Sequence, residues 1–333
     1  MEILKSFLQW KDKRSADTPF VLSVVLLGKQ GKIKTRRPKH CEIGLMKPFE
    51  RREYPPMTIQ NAFSVDVEDY FHGGIFLGKI SPKDYDTLTP RVVENTKTIL
   101  DLLASAPQPV KATFFVLGWV ADRFPQLVPE IIRQGHEIAS HGFGHQLVYT
   151  LAQDEFREDV RIARKILQDQ SGQPVIGYRA PDFSITKQTP WAHRILVEEG
   201  YTYDSSVFPI YHDVHGNPGA PKDIHTIQTE SGTIVEFPPP VITRFGKNIP
   251  TGGGGYFRFF PYFVTVRWLR EINNLGKPFV FYIHPREIDP QQPRIAPFKS
   301  RFRHYVNLKR TADRLRKLFH DFSFTTIQSV ING

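Results

Sequence analysis

Only one of the 333 residues is cysteine, Cys41. A single thiol excludes an internal disulfide framework and any zinc site built on cysteine pairs, and it agrees with a reducing compartment. Long apolar runs are absent too. The longest near the start, from Phe20 to Leu27, is far short of the ~20 residues needed to span a bilayer, so no transmembrane segment is expected. That run follows the polar stretch KDKRSADTP and lacks a small-residue cleavage site, so a secretory leader is not expected either. No G-x-G-x-x-G follows the first strand-like stretch, which argues against a dinucleotide-binding fold.

The net charge of +10 suggests a nucleic-acid partner until it is located. Residues 1–56 hold 13 Lys and Arg against 6 Asp and Glu, which leaves 31 against 28 for the remainder. The basic surplus therefore belongs to the N-terminal segment, and no nucleic-acid partner is expected for the rest. Residues 1–56 also lack sustained periodicity and end in RREYPP just before Met57. They read as a disordered basic extension, or as upstream sequence outside the native protein, with the domain proper at 57–333.

From Phe63 onward short apolar strands alternate with amphipathic helical stretches. AFSVDV, VKATFFVLG, HEIAS, VIGYRA, YTYDSS and PFVFYIHP read as strands, with a two-strand excursion in IHTIQTESGTIVEFPPP and a last strand in SFTTIQSVI. Between them, TPRVVENTKTILDLLASA reads as a helix with Thr89 as N-cap and Pro90 at its first position. PQLVPEIIRQG, AQDEFREDVRIARKILQDQSG, PWAHRILVEEG, YFVTVRWLREINNLG and NLKRTADRLRKLFHDF are the other helices. Such alternation means βαβ units and a parallel sheet, and six or seven units favour a (β/α) barrel over an open sheet.

In β/α barrels reactive groups sit where strands end. Five predicted strand ends carry polar groups: Asp66, Glu68 and Asp69; Ser140, His141 and His145; Arg179 and Asp182; Asp204 to Ser206; and His284.

The stretch HEIASHGFGH holds three of the 12 histidines. His141 and His145 are spaced so that one helical turn would put both rings on one face, and neutral imidazole suits zinc and neighbouring divalent ions. His136 lies at the strand start, at the far end of the barrel, and is set aside. Asp66 and Glu68 point to the same side of an extended strand. One carboxylate with two histidines makes a catalytic zinc-type set with open positions, and a second carboxylate can act as general base. Arg179 is placed to clamp that base, and His284, locked by Pro285, to protonate a leaving group. Asp204 is a candidate to orient His284.

With those residues in hand, FSVDVEDYFH, EIASHGFGHQLVY, GYRAPDFSIT, YDSSVFP, GGGGYFR and FYIHPREID resemble, in order and spacing, the motifs of the polysaccharide deacetylases with a NodB homology domain (carbohydrate esterase family 4). The resemblance covers about Phe63 to Gly333 and looks closest to the subgroup of exosortase and exopolysaccharide loci. It implies a distorted (β/α)7 barrel and one divalent ion, zinc by default, with iron, cobalt, nickel or manganese as alternatives. By the same resemblance Asp66 is the general base, His141 and His145 are metal ligands, Arg179 tunes Asp66, and His284 is the general acid. The family's first motif has two adjacent aspartates, whereas this chain has DVED, so the carboxylate ligand is Glu68 or Asp69. The implied reaction removes N-acetyl groups from an amino-sugar polysaccharide or its precursor and releases acetate. Tyr149, Tyr256 and Phe257 are candidate faces for the sugar ring. A cytoplasmic enzyme, acting also at the inner face of the membrane, is the expected setting. Two other readings stand beside this one: a C–N hydrolase of cyclic amides resembling allantoinase, and a non-catalytic carbohydrate-binding protein. Oligomeric state is not read from the sequence.

Overall fold

The strand Gln60–Val67 (β1) is buried at every residue but its first. Its side chains alternate between two environments, as period-two geometry requires. Phe63, Val65 and Val67 join the large cluster that includes Ile99, Leu103, Val120, Leu315 and Leu318 from the surrounding helices. Ala62 instead meets Phe115, Ala139, Tyr203, Phe237 and Val280 in a smaller inner cluster. The even-numbered positions of β1 thus face inward, and they turn from apolar to polar toward the C-terminal end: Ala62, Ser64, Asp66.

This computed structural model describes residues 59–76, 80, 82–212, 216–296 and 298–333, which belong to one compact unit spanning residues 54–333. The expected extension 1–56 lies outside the described residues. The other strands are Thr113–Val116 (β2), Glu137–Ser140 (β3), Gly177–Tyr178 (β4), Tyr203–Asp204 (β5), His225–Thr229 (β6), Gly232–Glu236 (β7), Val241–Arg244 (β8), Lys247–Pro250 (β9), Val280–Ile283 (β10) and Ser323–Thr325 (β11). The sheet runs in the order β10-β1-β2-β3-β4-β5-β7-β6. All its pairings are parallel except β6 with β7, which form an antiparallel hairpin. β11 runs parallel to the first three residues of β1, before β2 pairs from Ser64 onward. The sheet curls as a half-barrel, in keeping with the expected distorted (β/α)7 architecture. β8 and β9 form a separate hairpin.

The helices are Val92–Ala104 (α1), Gly118–Arg123 (α2), Leu127–Arg133 (α3), Gln153–Ser171 (α4), Ala192–Glu198 (α5), Gly254–Phe259 (α6), Tyr262–Asn274 (α7), Phe298–Tyr305 (α8), Thr311–Asp321 (α9) and Ile327–Asn332 (α10). α4 buries Phe156, Val160, Ala163 and Leu167, an apolar stripe at helical spacing. It stops at Gly172, whose φ of +66° is the left-handed cap that glycine adopts without strain. Around β1, the rings of Phe63, Phe281, Phe319 and Phe324 meet stacked and edge-on, with centroids 5.1 to 5.8 Å apart in the pairs made by Phe63. Each such buried ring contributes about 1.5–3 kcal/mol.

Two expectations need correction. The stretch SFTTIQSVI is a strand only as far as Thr325; Thr326 then caps α10, its Oγ1 accepting from Ser329 N at 3.1 Å. Thr89 does not cap α1, which starts at Val92. That helix end is capped from another element, since Asp69 Oδ2 accepts from Arg91 N at 2.7 Å and Val92 N at 2.9 Å.

Candidate active site

The C-terminal ends of β1, β3, β4 and β10 bring Asp66, His141, Arg179 and His284 together. Arg179 is fully buried, and its fork is satisfied by groups from two other strands. Nη1 donates to Asp66 Oδ1 at 2.6 Å and to Ser64 Oγ at 2.8 Å. Nε and Nη2 donate to the Ser205 carbonyl and hydroxyl at 3.1 and 2.8 Å. The guanidinium carbon lies 4.1 Å above the Phe115 ring. Asp66 is thereby held in one orientation, with Oδ2 left toward His284, whose Nε2 is 3.8 Å away.

Glu68, His141 and His145, all buried, converge so that one ligand atom of each lies within 4.8 Å of the others. His145 Nε2 bonds directly to Glu68 Oε2, and His141 Nε2 is 3.9 Å from that oxygen. His141 Nδ1 bonds the Arg179 carbonyl oxygen at 2.8 Å, so Nδ1 carries the proton and Nε2 is the free donor atom facing Glu68. Burial lowers the His141 pKa to about 4, which keeps the ring neutral, as a ligand must be. Although burial opposes ionisation of Glu68, His145 and His284 hold its carboxyl well below the usual range. Two imidazole nitrogens and a carboxylate oxygen, each turned to one point, fit a zinc-type divalent ion.

The two histidines do not share a helical turn as expected; they meet through a loop. Gly142, at φ +73°, and His145, at φ +55°, make its bends. Asp159 of α4 pins it, Oδ2 accepting from Phe143 N at 2.9 Å and Oδ1 from Gly144 N at 3.2 Å. A Cβ at Gly142 would stand 2.6 Å from Asp159 Oδ2, so both space and φ require glycine there.

Asp69 is the alternative ligand that the structure removes. Its carboxylate accepts from the backbone of Tyr70, Arg91 and Val92. It is not among the ligand atoms that converge with His141 and His145. Asp204 does not orient His284 either: its oxygens face Ser205, Ser206 and His193. Glu287 does so instead, its Oε2 meeting His284 Nδ1 at 3.2 Å and the His284 N–H at 3.1 Å. Arg258 of α6 holds the other oxygen of Glu287 at 2.9 Å. Burial and Arg286 work against a charged His284, but Glu68 and Glu287 prevail and hold its pKa above the ordinary value.

Four further groups bear on the site, and of these only Asp182 stood among the strand-end candidates. Arg286 Nε donates to Glu68 Oε1 at 3.3 Å. Asp182, at a left-handed φ of +49°, keeps Oδ2 without a partner. His72 accepts from Asp69 N at 2.9 Å, and its Nε2 is unpartnered near His145. Glu287 itself is the fourth. All four lie inside the stretches FSVDVEDYFH, GYRAPDFSIT and FYIHPREID, so membership of a motif was the available signal. Of the proposed sugar platforms, Phe257 is buried against Phe281 and is excluded, whereas Tyr149 and Tyr256 are half-buried. His136 is buried at the opposite end of β3, where its Nδ1 accepts from Ala112 N at 3.2 Å.

Residues 84–203 match the family model of polysaccharide deacetylases, and residues 205–332 match that of a domain of unknown function, DUF3473. The site draws on both segments and on β1, which precedes them. A peptidoglycan-N-acetylglucosamine deacetylase of Bacillus cereus is 36% identical over 101 residues, covering 30% of this chain and 36% of that protein. A peptidoglycan deacetylase of Helicobacter pylori is 25% identical over 96 residues, covering 29% and 32%. The chain spans about a third to a half of the first curated relatives it matches. Among solved structures, a Mycobacterium smegmatis protein assigned to the polysaccharide deacetylases superposes with TM-score 0.53 at 20% identity, covering 81% of this chain and 88% of that one. Puue allantoinase superposes equally, with TM-score 0.53 at 15% identity and the same coverage. At these identities both show the fold alone. The fold, the ordered motifs and the family match agree: this chain carries a polysaccharide deacetylase domain of the NodB-homology type.

Proposed function

We propose that the chain is a metal-dependent hydrolase that removes N-acetyl groups from an amino-sugar glycan of the exopolysaccharide or peptidoglycan type, releasing acetate. The observation that carries this reading is the grouping of three functions at one rim: the Arg179-held carboxylate of Asp66, the Glu68–His141–His145 ligand set, and His284 across from both. Glu68, His141 and His145 would hold the ion. When bound, it supplies Lewis-acid polarisation of a carbonyl and a water of lowered pKa.

The chain's own residues account for the protons. Asp66 accepts the proton of the attacking water as the water oxygen bonds to the acetamide carbon. Arg179 holds one oxygen of Asp66 and fixes the direction of the other. His284, charged under the influence of Glu68 and Glu287, gives a proton to the nitrogen as the C–N bond breaks, leaving acetate and a free amino sugar. The setting we propose is the cytoplasm, including the inner face of the membrane; among the described residues no helix is long and apolar enough to cross a bilayer.

The test is acetate release from N-acetylglucosamine oligomers by wild type and Asp66→Asn, each with its metal content measured. Release by wild type and a loss of at least ~1,000-fold in the variant, with metal retained, is the expected outcome. Metal-loaded wild type that releases no acetate but opens a cyclic ureide would move the reading to the other C–N hydrolase. Absence of both activities and of metal would leave a binding protein.

A further inference from the structure

Away from the rim just described, α5 faces the C-terminal ends of β5 and β7. Asp204 and Glu236 are register partners on these adjacent parallel strands, and both are fully buried. Side by side in the interior, two carboxylates repel each other and lose hydration, so they need a cation. No lysine or arginine pairs with either among the described residues. His193 of α5 is what they have: its Nε2 is 3.1 Å from Asp204 Oδ2 and 3.9 Å from Glu236 Oε2.

The remaining oxygens are already used. Glu236 Oε1 accepts from Val207 N at 3.0 Å, and Asp204 Oδ1 accepts from Ser205 N at 2.9 Å and from the Ser206 hydroxyl. Glu236 Oε2 is buried without any hydrogen-bond partner. So three atoms face a common centre within 4.8 Å of one another, the same span as in the Glu68 set: His193 Nε2 and Asp204 Oδ2, which share the 3.1 Å hydrogen bond, and Glu236 Oε2, which has no partner. Around an ion with ligand bonds of ~2.0–2.1 Å, such atoms stand roughly 3.3 Å apart.

We infer that His193, Asp204 and Glu236 form a second divalent-cation site, one that braces the fold and takes no part in the chemistry. Mixed nitrogen and oxygen donors select zinc, cobalt, manganese or iron rather than calcium or magnesium. The site ties α5 to β5 and β7. It also reaches the active site through the residues after Asp204. Ser206 Oγ accepts from Ala180 N at 2.7 Å, and Ser205 holds two nitrogens of Arg179. An ion on Asp204 therefore fixes the segment that cradles the arginine behind Asp66. The inference stands on its own geometry and does not depend on the acetamide reading.

The test is a titration of metal-stripped full-length protein with zinc and with cobalt, together with elemental analysis of three proteins: wild type, His141→Ala/His145→Ala, and His193→Leu. The expected result is close to two equivalents in wild type and close to one in each variant. One equivalent in wild type that survives in His141→Ala/His145→Ala and disappears in His193→Leu also supports this site, while removing the metal from the proposed function. One equivalent in wild type that vanishes in His141→Ala/His145→Ala overturns the inference, and the triad is then closed by shared protons. No metal in any protein overturns it too. Should His193→Leu fail to fold, the wild-type stoichiometry and His193→Gln decide in its place.

Discussion

The backbone oxygen of Arg179 lies 2.8 Å from His141 Nδ1, while its guanidinium lies 2.6 Å from Asp66 Oδ1. One residue thus serves two parts of the site by two different means. The carbonyl sets the tautomer of His141, and the side chain sets the orientation of Asp66. These contributions separate under Arg179→Lys. A lysine keeps the backbone bond but offers a single ammonium for partners that now take three guanidinium nitrogens. The expected outcome is metal content near that of wild type, acetate release down at least ~100-fold, and a stability loss of about 3–5 kcal/mol by urea unfolding. Loss of metal together with activity would mean that the arginine acts through the ligand set and not through Asp66.

Glu68 and Asp69 are adjacent carboxylates with unrelated tasks, and mutation tells them apart. Glu68→Gln removes the charge beside His141 and His145, so metal affinity should fall about 100-fold or more while the fold persists. Asp69→Ala leaves the ligands alone but strips the backbone N–H groups of Tyr70, Arg91 and Val92 of their acceptor. That substitution should cost about 2 kcal/mol or more with metal stoichiometry unchanged. Elemental analysis beside denaturation curves reads both effects. The reverse pattern would return the ligand role to Asp69.

The same pair shows what sequence could and could not decide. Strand alternation is expected to put Asp66 and Glu68 on one side; both do face His284 Nε2 at 3.8 Å, although β1 ends at Val67 and Glu68 N bonds back to the Asp66 carbonyl at 3.0 Å. Alternation left Asp69 open because the capping of α1 by a residue 22 positions away has no local signature. Asp204 was misjudged for a like reason. It sits at a strand end among candidate residues, but its partners His193 and Glu236 come from a helix and a hairpin whose spatial relation to β5 is set by the sheet order. The hairpin β8–β9 went unread because its turn, Phe245-Gly246 with both φ positive, lacks the Asn-Gly or Asp-Gly that announces such turns. By contrast α4 was legible from end to end, since a 3.6-residue stripe closed by glycine is purely local information. The DVED, HGFGH, YRAPD and IHP stretches meet at one rim because each falls at a strand end, where topology alone brings them together.

Glu287 reaches both the ring and the backbone N–H of His284, and its removal should move the pH dependence of the reaction. In the proposed mechanism His284 is needed in its charged form, so activity is expected to decline as pH rises through its pKa. In wild type that pKa stands above the ordinary value because Glu68 and Glu287 outweigh burial and Arg286. Glu287→Gln deletes one of the two favourable charges, and burial then gains weight. The alkaline limb of the kcat/KM profile should shift to lower pH. A change in rate that is uniform across pH, with the limb in place, would assign Glu287 a packing role only.

His136, the histidine left out of the ligand set, makes a prediction about stability. Burial lowers its pKa to about 4, and Lys111 adds to the effect. In the unfolded chain it titrates near 6.5, so between those values the unfolded state binds a proton that the folded state refuses. Its contribution to stability is whole above pH 6.5 and is lost as pH falls toward 4. Between pH 7 and pH 5 this loss is on the order of 2 kcal/mol. His136→Gln retains an acceptor for Ala112 N but cannot take the proton. Other groups titrate in the same range, so the informative quantity is the difference between the two proteins. Urea unfolding of both at pH 7 and pH 5 should show wild type losing about 2 kcal/mol more than the variant over that interval. Parallel losses would mean that the ring is already charged in the folded protein, and that the bond from Ala112 N to Nδ1 is not formed.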